Sequence, residues 1–187
     1  MTMTGNKFNL LPGFLNNLQK KFRVAIVGAG GVGKTTLLNQ LFEDHAPLVE
    51  GRQKIPEVVR TVCAERGYEN PYSIPAEELM QFREDVLDRQ IKLEDEAERF
   101  IVDRSTLDAW IYFTRWNINA ASPEEVERFY QKAYQQARKY DAIIYVPITF
   151  PTQDDGFRWN NELYQKQIDR SFREHFRAWD LDLLFLR

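Results

Sequence analysis

The chain has 187 residues, of which 43% are hydrophobic and 13% aromatic, and this composition indicates one folded domain rather than global disorder. The formal net charge of -3 disfavours nucleic acid as a general partner. The single cysteine, Cys63, excludes an internal disulfide and fits a cytoplasmic protein, and no apolar run approaches the roughly 20 residues that a membrane span needs.

Short β-branched runs alternate with helical patterns along the chain. Residues 1–21 mix apolar and polar side chains as an N-terminal helix does, either packed on the domain or presented to a partner. Buried strands are expected at 23–27, 100–102 and 142–146, with an extended piece around 48–59 and a last strand at 181–186. Helices are expected at 33–42, 76–98, 107–116, 122–139 and 160–179. Ser122 is the expected N-cap of the helix at 122–139. This alternation predicts a three-layer α/β fold whose mostly parallel sheet is covered by helices.

Residues 28–35, GAGGVGKT, match the phosphate-binding pattern G-x-x-x-x-G-K-[ST] between a strand and a helix. The glycines allow backbone N–H groups to turn towards phosphate oxygens, and Lys34 is expected to reach the β- and γ-phosphates. The alternative is a glycine-rich turn without a ligand. The residues expected to bind nucleotide here are Gly28, Gly30, Gly31, Val32, Gly33, Lys34, Thr35 and Thr36. We expect ATP as the donor, with GTP as the alternative.

Two side chains are expected to hold Mg²⁺. The hydroxyl of Thr35 is the first, because this position of the P-loop binds the metal ion. Asp103 is the second, because it follows the strand at 100–102 and an acid is expected at the end of a neighbouring strand. The alternative role of Asp103 is to cap the helix that follows, although Ser105 or Thr106 can do this instead.

The triplet Asp103-Arg104-Ser105 resembles a motif at the end of a central strand in thymidylate kinases and deoxynucleoside kinases. The resemblance implies that Arg104 contacts phosphate or the phosphoryl acceptor, and the alternative is a structural salt bridge. Nucleoside kinases also carry a carboxylate after their second strand, and Glu57 is the candidate to orient or deprotonate the acceptor hydroxyl. Arg60 is a candidate to hold an anionic substrate. The alternative for both is a solvated surface charge.

Four segments in this order resemble the AAA-type ATPase domain family that includes the ribosylnicotinamide-kinase domain of the bifunctional NAD-biosynthesis regulator. They are the P-loop, PEVVR at 56–60, VDRSTLDAW at 102–110 and DDGFR at 154–158. The resemblance implies a kinase-like domain over 23–187 after an extension at 1–22. In that family the last of the four segments opens a lid over the phosphates. The lid is expected at about 152–178, with Arg158 as a catalytic residue. Arg170, Arg173 and Arg177 are spaced by three and four residues and can share one helix face that closes over the triphosphate, so Arg170 and Arg173 are expected to contact the nucleotide. The alternative for the arginines of this helix is a solvated face paired with Asp169 and Glu174.

Aromatic residues cluster after the Asp103-Arg104-Ser105 triplet and can sandwich a flat ring, or else form core. They are Trp110, Tyr112, Phe113 and Trp116, with Phe82 and Arg83 on the preceding helix. The sequence therefore predicts phosphoryl transfer, dependent on ATP and Mg²⁺, to a small nucleoside, nucleotide or related metabolite. The expected catalytic residues are Lys34, Glu57, Asp103, Arg104 and Arg158.

Two other functions remain open at this point. A nucleotide-dependent regulatory or assembly ATPase would act on a macromolecular partner and would function as a homo-oligomer. A GTPase switch is disfavoured, because Asp103 is not followed by the glycine of a DxxG motif. The Asn6-Lys7 pair also precedes the P-loop and lacks the acid of a guanine-binding NKxD motif.

Overall fold

A computed structural model describes residues 8, 10–149, 156, 157 and 159–185 of the chain. The helices within these ranges are α1 Pro12–Gln19, α2 Lys34–Asp44, α3 Ala46–Val49, α4 Val58–Glu65, α5 Leu79–Glu96, α6 Thr106–Trp116, α7 Pro123–Ala137 and α8 Glu162–Ala178. The strands are β1 Arg23–Val27, β2 Gln53–Ile55, β3 Phe100–Asp103, β4 Ala142–Tyr145 and β5 Leu183–Phe185. Over the described residues, no helix has the length and apolar character that crossing a membrane requires.

The strands form one parallel sheet in the order β2-β3-β1-β4-β5. Strand β1 lies at the centre, between β3 and β4. Strands β3 and β4 are buried throughout, as is β1 after Arg23, which is the pattern of a parallel sheet covered by helices. Parallel pairing places Ile26 opposite Asp103, so the carboxyl ends of β1 and β3 meet at one edge. Open α/β sheets bind their ligands at this edge.

The helices pack in two groups around the sheet. In the first group, α2 contacts β1 and β3 and packs on α3, and α3 contacts α1. In the second group, α6 packs on α5, α7 and α8. The three-layer α/β fold expected from the sequence is confirmed. The described part of the N-terminal segment packs on the domain: Leu18 is fully buried, and the backbone of Phe8 exchanges hydrogen bonds of 2.7 and 2.9 Å with the side chain of Gln40.

The segment around residues 48–59 corrects the sequence prediction of one extended piece. Only Gln53–Ile55 is a strand, and helices α3 and α4 flank it. Gly51 turns the chain between α3 and the strand with a φ of +68°, a conformation that glycine adopts without strain. The apolar side of α4 packs against Phe82 of α5 in a second small core. This tertiary contact outweighs the strand preference of the β-branched residues in the segment.

The other predicted strands and helices are confirmed, most of them with small changes at their ends. The N-terminal helix changes most: it begins at Pro12, and the described residues 8, 10 and 11 before it are not helical, whereas α5 begins at residue 79 instead of 76. Ser122 caps α7 as expected, and its hydroxyl accepts a hydrogen bond from the N–H of Glu125 while the Glu125 carboxylate accepts from the N–H of Ser122. Local patterning therefore predicted these elements, because caps and apolar periodicity act within one or two turns.

Candidate active site

The P-loop leaves β1 and leads into α2. Gly28 has a φ of +146°, and a Cβ atom there would lie 2.5 Å from the carbonyl oxygen of Val146. Only glycine fits this approach of the loop to the chain after β4. Gly33 is the N-cap of α2 in the left-handed conformation, with a φ of +91°. The first N–H groups of α2 have no partner within the helix, and such a helix start attracts anions.

Lys34 is buried inside this loop, with 3% of its surface exposed. Its Nζ donates hydrogen bonds to the carbonyl oxygens of Gly28 (2.8 Å) and Ala29 (2.7 Å). Burial lowers the pKa of Lys34 to about 8, and the positive charge of Arg104 acts in the same direction. Phosphate oxygens in the loop would give the ammonium group anionic acceptors, which favour its protonated form.

Thr35 and Asp103 meet where α2 begins and β3 ends. The Thr35 hydroxyl donates a hydrogen bond to Oδ2 of Asp103. The other oxygen, Oδ1, is buried with no hydrogen-bond partner among the described residues. Asp103 is not the cap of α6, because Ser105 fills that position and its hydroxyl accepts from the N–H of Asp108. The carboxylate of Asp103 therefore has one oxygen available for a ligand.

This pair fits the donor set of a magnesium ion bound with a nucleotide. Mg²⁺ prefers oxygen ligands and usually keeps one or two protein carboxylates, several waters and substrate phosphates. The hydroxyl of Thr35 and the free oxygen of Asp103 supply two such oxygens. Within the described part of the chain, no group of three or more acidic, histidine or cysteine side chains could hold a metal ion.

Arg104 follows β3 in an uncommon backbone conformation, with a φ of +77°. Its N–H donates to the carbonyl oxygen of Ile26 at 2.9 Å, which fixes the turn to β1. The side chain is nearly buried, its Nε lies 2.6 Å from Oε1 of Glu57, and its Cζ lies 5.2 Å from the centre of the Tyr112 ring. Strained residues of this kind cluster at functional sites, where the surrounding contacts hold them.

Glu57 is buried two residues after β2, and both of its oxygens accept hydrogen bonds from arginines. Oε1 accepts from Nε of Arg104, and Oε2 accepts from Nε of Arg60 at 2.9 Å. The guanidinium of Arg60 in turn lies 4.1 Å from the ring centre of Phe157. The sequence allowed Glu57 to be a solvated surface charge. The structure shows that it is buried, so this alternative is wrong.

Asp108 is a site residue that the sequence reasoning missed. Its Oδ2 accepts from the N–H and the hydroxyl of Ser105, each at 2.8 Å, and its Oδ1 lies 3.4 Å from Nη1 of Arg104. Burial raises the pKa of Asp108 to about 6, although Arg104 and Lys34 oppose this. The sequence did contain a signal for Asp108, namely the Ser-x-x-Asp spacing of a capping box. This spacing predicts that the acid is held at the start of the helix.

One cavity joins these residues to a wall of aromatic rings. The P-loop contributes Gly30 and Gly31, and Glu57, Arg104 and Asp108 border the same space. The rings around it belong to Tyr72, Tyr112, Trp116, Phe157, Trp159 and Tyr164. The cavity therefore connects the phosphate-binding loop with a surface suited to a flat ring.

The aromatic candidates from the sequence separate into two groups. Tyr112 and Trp116 line the cavity, whereas Trp110 and Phe113 are core residues. Phe113 stacks on Phe129 with 4.3 Å between ring centres. Phe82 is also core, and Arg83 next to it lines the cavity. Sequence reasoning missed Tyr72, Trp159 and Tyr164, because no local pattern connects the loops and α8 that carry them.

Helix α8 borders the P-loop through a residue that the sequence did not single out. Nε2 of Gln165 donates to the carbonyl oxygen of Gly30 at 2.8 Å. Arg170 is 81% exposed at its side chain and pairs with Glu174, and Arg173 pairs with Asp169. Glu174 and Asp169 are the partners expected if these arginines lie on a solvated face of the helix. Neither arginine lines the cavity. Arg158, Asp154 and Asp155 lie outside the described residues.

Together, the sheet order, the P-loop and the acid at the end of β3 define a P-loop kinase-like domain. The chain belongs to the AAA domain family, whose sequence profile matches residues 23–187. The family resemblance drawn from the four sequence segments is therefore confirmed. No curated protein sequence matches the chain.

Solved kinase structures share the fold at low sequence identity. The NadR protein in complex with NR superposes with a TM-score of 0.64 at 14% identity, over 87% of this chain and 43% of that one. Deoxyadenosine kinase from M. mycoides, with products dCMP and dCDP bound, gives 0.62 at 19% identity, over 88% of each chain. Shikimate kinase from Acinetobacter baumannii with shikimate gives 0.50 at 11% identity, over 91% of this chain and 86% of that one. This chain thus spans less than half of the NadR protein.

Proposed function

We propose that this domain transfers the γ-phosphoryl group of ATP, with Mg²⁺, to a small nucleoside, nucleotide or related metabolite. One observation carries the proposal: a single cavity joins the P-loop glycines, the Glu57–Arg104 pair and a wall of aromatic rings. A regulatory ATPase needs the phosphate site but has no use for a ring-lined pocket beside it. The cavity therefore favours a small-molecule acceptor.

On the donor side, Lys34 and the N–H groups at the start of α2 bind the triphosphate in this proposal. Thr35 and Asp103 hold the metal ion through the hydroxyl and the free carboxylate oxygen. When bound, Mg²⁺ neutralises charge on the phosphates. Lys34 supplies a positive charge from a buried position, where electrostatic interactions are stronger than in water.

On the acceptor side, Glu57 and Arg104 have separate tasks. Glu57 accepts a hydrogen bond from the acceptor hydroxyl and directs it towards the γ-phosphate. Both of its oxygens already accept hydrogen bonds from arginines, which favours orientation of the acceptor over removal of its proton. Arg104 neutralises charge on the group being transferred. Phosphoryl transfer depends mainly on positioning and charge stabilisation, so these tasks are sufficient.

The aromatic wall supports an acceptor with a flat ring. Tyr112 and Trp116 come from α6, Tyr164 from α8 and Trp159 from the segment before α8, so rings surround the cavity from different elements. Nucleosides and related ribosides present such a ring together with a hydroxyl. The deoxyadenosine kinase with its bound dCMP and dCDP shows that this fold can hold nucleotides, which agrees with the proposal.

We further propose that the domain occupies 23–187 after an extension at 1–22, with a lid at about 152–178. Phe157 and Trp159 of this segment border the cavity, so its movement would open or close the acceptor space. Closure would exclude water, which otherwise competes with the acceptor. Arg158 is proposed to reach the transferred phosphoryl group. Arg170 and Arg173 would have to exchange their partners on α8 to reach phosphate.

The test is ATP consumption by the purified full chain with Mg²⁺, against nucleosides, nucleoside monophosphates and nicotinamide riboside. An acceptor-free reaction and the Lys34→Ala variant serve as controls, with Lys92→Ala on the exposed side of α5 as a matched substitution. Stimulation by one acceptor, with its phosphorylated product detected by mass spectrometry, is the expected result. Loss of this stimulation in Lys34→Ala but not in Lys92→Ala links it to the P-loop.

The alternatives give other results in the same assay. Slow hydrolysis that no acceptor changes would overturn the kinase proposal in favour of a regulatory ATPase. Tight GDP binding with strong guanine preference would instead support a GTPase switch.

A further inference from the structure

Arg83 is a buried cation that lines the cavity of the proposed active site. It lies on α5, and 8% of its surface is exposed. Its Nε is buried without a hydrogen-bond partner, and it forms no ion pair with any described residue. The guanidinium group has five N–H donors, and the one on Nε is not accepted by any described residue; Cζ lies 5.8 Å from the ring centre of Phe82.

Among the described residues, the other charges around the cavity face charges of opposite sign. Glu57 pairs with Arg60 and Arg104, and Asp108 approaches Arg104 from the other side. Lys34 is close enough to Asp103 for the acid to favour its charged form. Arg83 adds a positive charge to this set. Arg83 therefore has no counterion among the described residues, and an anion in the cavity would supply one.

Among the described residues, the polar groups that most affect the pKa of Arg83 are tyrosine hydroxyls and a thiol. Burial lowers its pKa, and the groups that oppose this most are Tyr164, Tyr112, Tyr72 and Cys63. Three of them are tyrosines of the cavity wall. A buried cation without a counterion is unfavourable, and proteins keep such groups mostly where a ligand supplies the partner.

Arg52 shows how a structural arginine differs in the same molecule. It is equally buried and also has nitrogen atoms without partners. Its Nη2 nevertheless donates to the carbonyl oxygens of Leu18 (3.0 Å) and Gln19 (3.1 Å) at the end of α1. Arg52 therefore holds two segments together and does not line the cavity, whereas Arg83 makes no comparable contact and faces the cavity.

We propose that Arg83 binds an anionic group of the phosphoryl acceptor, a carboxylate or a phosphate, at a position away from the hydroxyl that is phosphorylated. This inference rests on the proposed function and narrows its substrate class to anionic acceptors with a flat ring. Tyr112 connects the two ends, because its ring centre lies 5.2 Å from Cζ of Arg104 and it lines the same cavity as Arg83. An acceptor packed on Tyr112 can approach Glu57 and Arg104 at one end and Arg83 at the other.

The test compares ligands that share a ring and ribose but differ in charge. The pairs are nicotinate riboside with nicotinamide riboside, orotidine with uridine, and uridine 3′-monophosphate with uridine. The first two test a carboxylate, and the third tests a phosphate. Binding to the full chain is measured without nucleotide by calorimetry and by the fluorescence of Trp116 and Trp159, which line the cavity. ATP turnover with each compound is measured separately.

We expect the member of at least one pair that carries the carboxylate or phosphate to bind at least tenfold more tightly than the member that lacks this group. Arg83→Gln removes this preference, and Arg83→Lys restores part of it because the charge remains. Arg89→Gln is the matched control on the same helix, since Arg89 is exposed and pairs with Glu65. Removing an unpaired buried charge is expected to leave the melting temperature of Arg83→Gln equal or higher.

The outcomes separate the two proposals. Equal binding within all three pairs, or a preference that Arg83→Gln does not change, overturns the role of Arg83 and leaves the kinase proposal standing. A large fall in melting temperature of Arg83→Gln with unchanged preference assigns Arg83 to the structure and also overturns its role. Binding of anionic ligands through Arg83 without phosphorylation of any compound supports the anion site and counts against the kinase proposal.

Discussion

Nε of Arg104 lies 2.6 Å from Oε1 of Glu57, although 47 positions separate the two residues in the sequence. The contact joins the segment after β2 to the segment after β3 at the carboxyl edge of the sheet. Arg60 occupies the other oxygen of Glu57. The pair therefore holds a carboxylate and a guanidinium at the cavity that Gly30 and Gly31 of the P-loop also line.

Glu57→Gln is expected to reduce phosphoryl transfer at saturating substrates by about a hundredfold, because loss of the charge releases Arg104 and misplaces the acceptor. ATP affinity should change little, since Glu57 does not touch the P-loop in this scheme. The measurements are kcat and KM for the acceptor and Kd for the nucleotide. Glu65→Gln is the control, because Glu65 pairs with the exposed Arg89. Weaker ATP binding with unchanged transfer at saturation contradicts the proposed role.

Asp103→Asn is expected to raise the Mg²⁺ concentration needed for nucleotide binding by about tenfold or more. Asparagine keeps the shape and can still accept the hydrogen bond from Thr35, but it lacks the charge that holds a divalent cation. The measurement is a Mg²⁺ titration of nucleotide binding. Asp88→Asn is the control, since Asp88 pairs with Lys132 on the surface. Identical Mg²⁺ titrations for Asp103→Asn and the unmodified protein would rule out this metal ligand.

Nucleotide affinity is expected to fall as pH rises above about 8. Burial lowers the pKa of Lys34 to about 8 in the free protein, and bound phosphate favours the ammonium form and raises that pKa. Affinity is therefore highest below about pH 8 and declines at higher pH, by at most tenfold per pH unit. Kd measured between pH 7.5 and 9.5 checks this. Lys34→Ala should bind weakly with a flat profile, and a parallel decline in that variant would assign the effect to another group.

Glu94 is expected to make folding stability depend on pH. It is fully buried among Gln90, Gln136 and Tyr140, and burial raises its pKa to about 7, from 4.5 when free, although these hydrogen bonds oppose the rise. An acid with a raised pKa stabilises the fold at low pH, and this stability is lost as pH rises from about 4.5 through 7. The difference corresponds to about 3 kcal/mol.

Glu94→Gln should remove this dependence, because glutamine has no charge to bury. Urea unfolding at pH 5 and pH 8 gives the free energy of unfolding for both proteins. Glu124→Gln is the control, since Glu124 lies in the exposed first turn of α7. The same loss of stability between pH 5 and pH 8 in Glu94→Gln and in the unmodified protein would show that other groups cause it.

Much of the fold was predictable because its signals are local. Each buried run, in β1, β3 and β4, is a stretch of only a few consecutive residues. The cap at Ser122 likewise involves residues that are close in sequence. The segment around 48–59 was not predictable, because α4 is helical through its packing on Phe82 of α5. Such a contact depends on residues distant in sequence, and local preference does not contain it.

The candidate site was predictable only in part, for a related reason. Tyr112 and Trp110 are two positions apart on α6, yet one lines the cavity and the other belongs to the core. A helix turns about 100° per residue, so its sequence shows which residues share a face but does not say what that face meets. Tyr72, Trp159 and Tyr164 were missed for the same reason, because their rings reach the cavity from separate parts of the chain.

The sequence by itself determined the phosphate-binding loop, since its glycines, Lys34 and Thr35 are adjacent and their chemistry needs only a strand before them and a helix after them. Tertiary structure decided everything that requires separate segments to meet. It joined Glu57 to Arg104, and it left one oxygen of Asp103 without a partner and Arg83 without a counterion among the residues that the structure describes. The physical reason is that burial and charge compensation depend on all neighbours in space, and a linear sequence specifies only the neighbours along the chain.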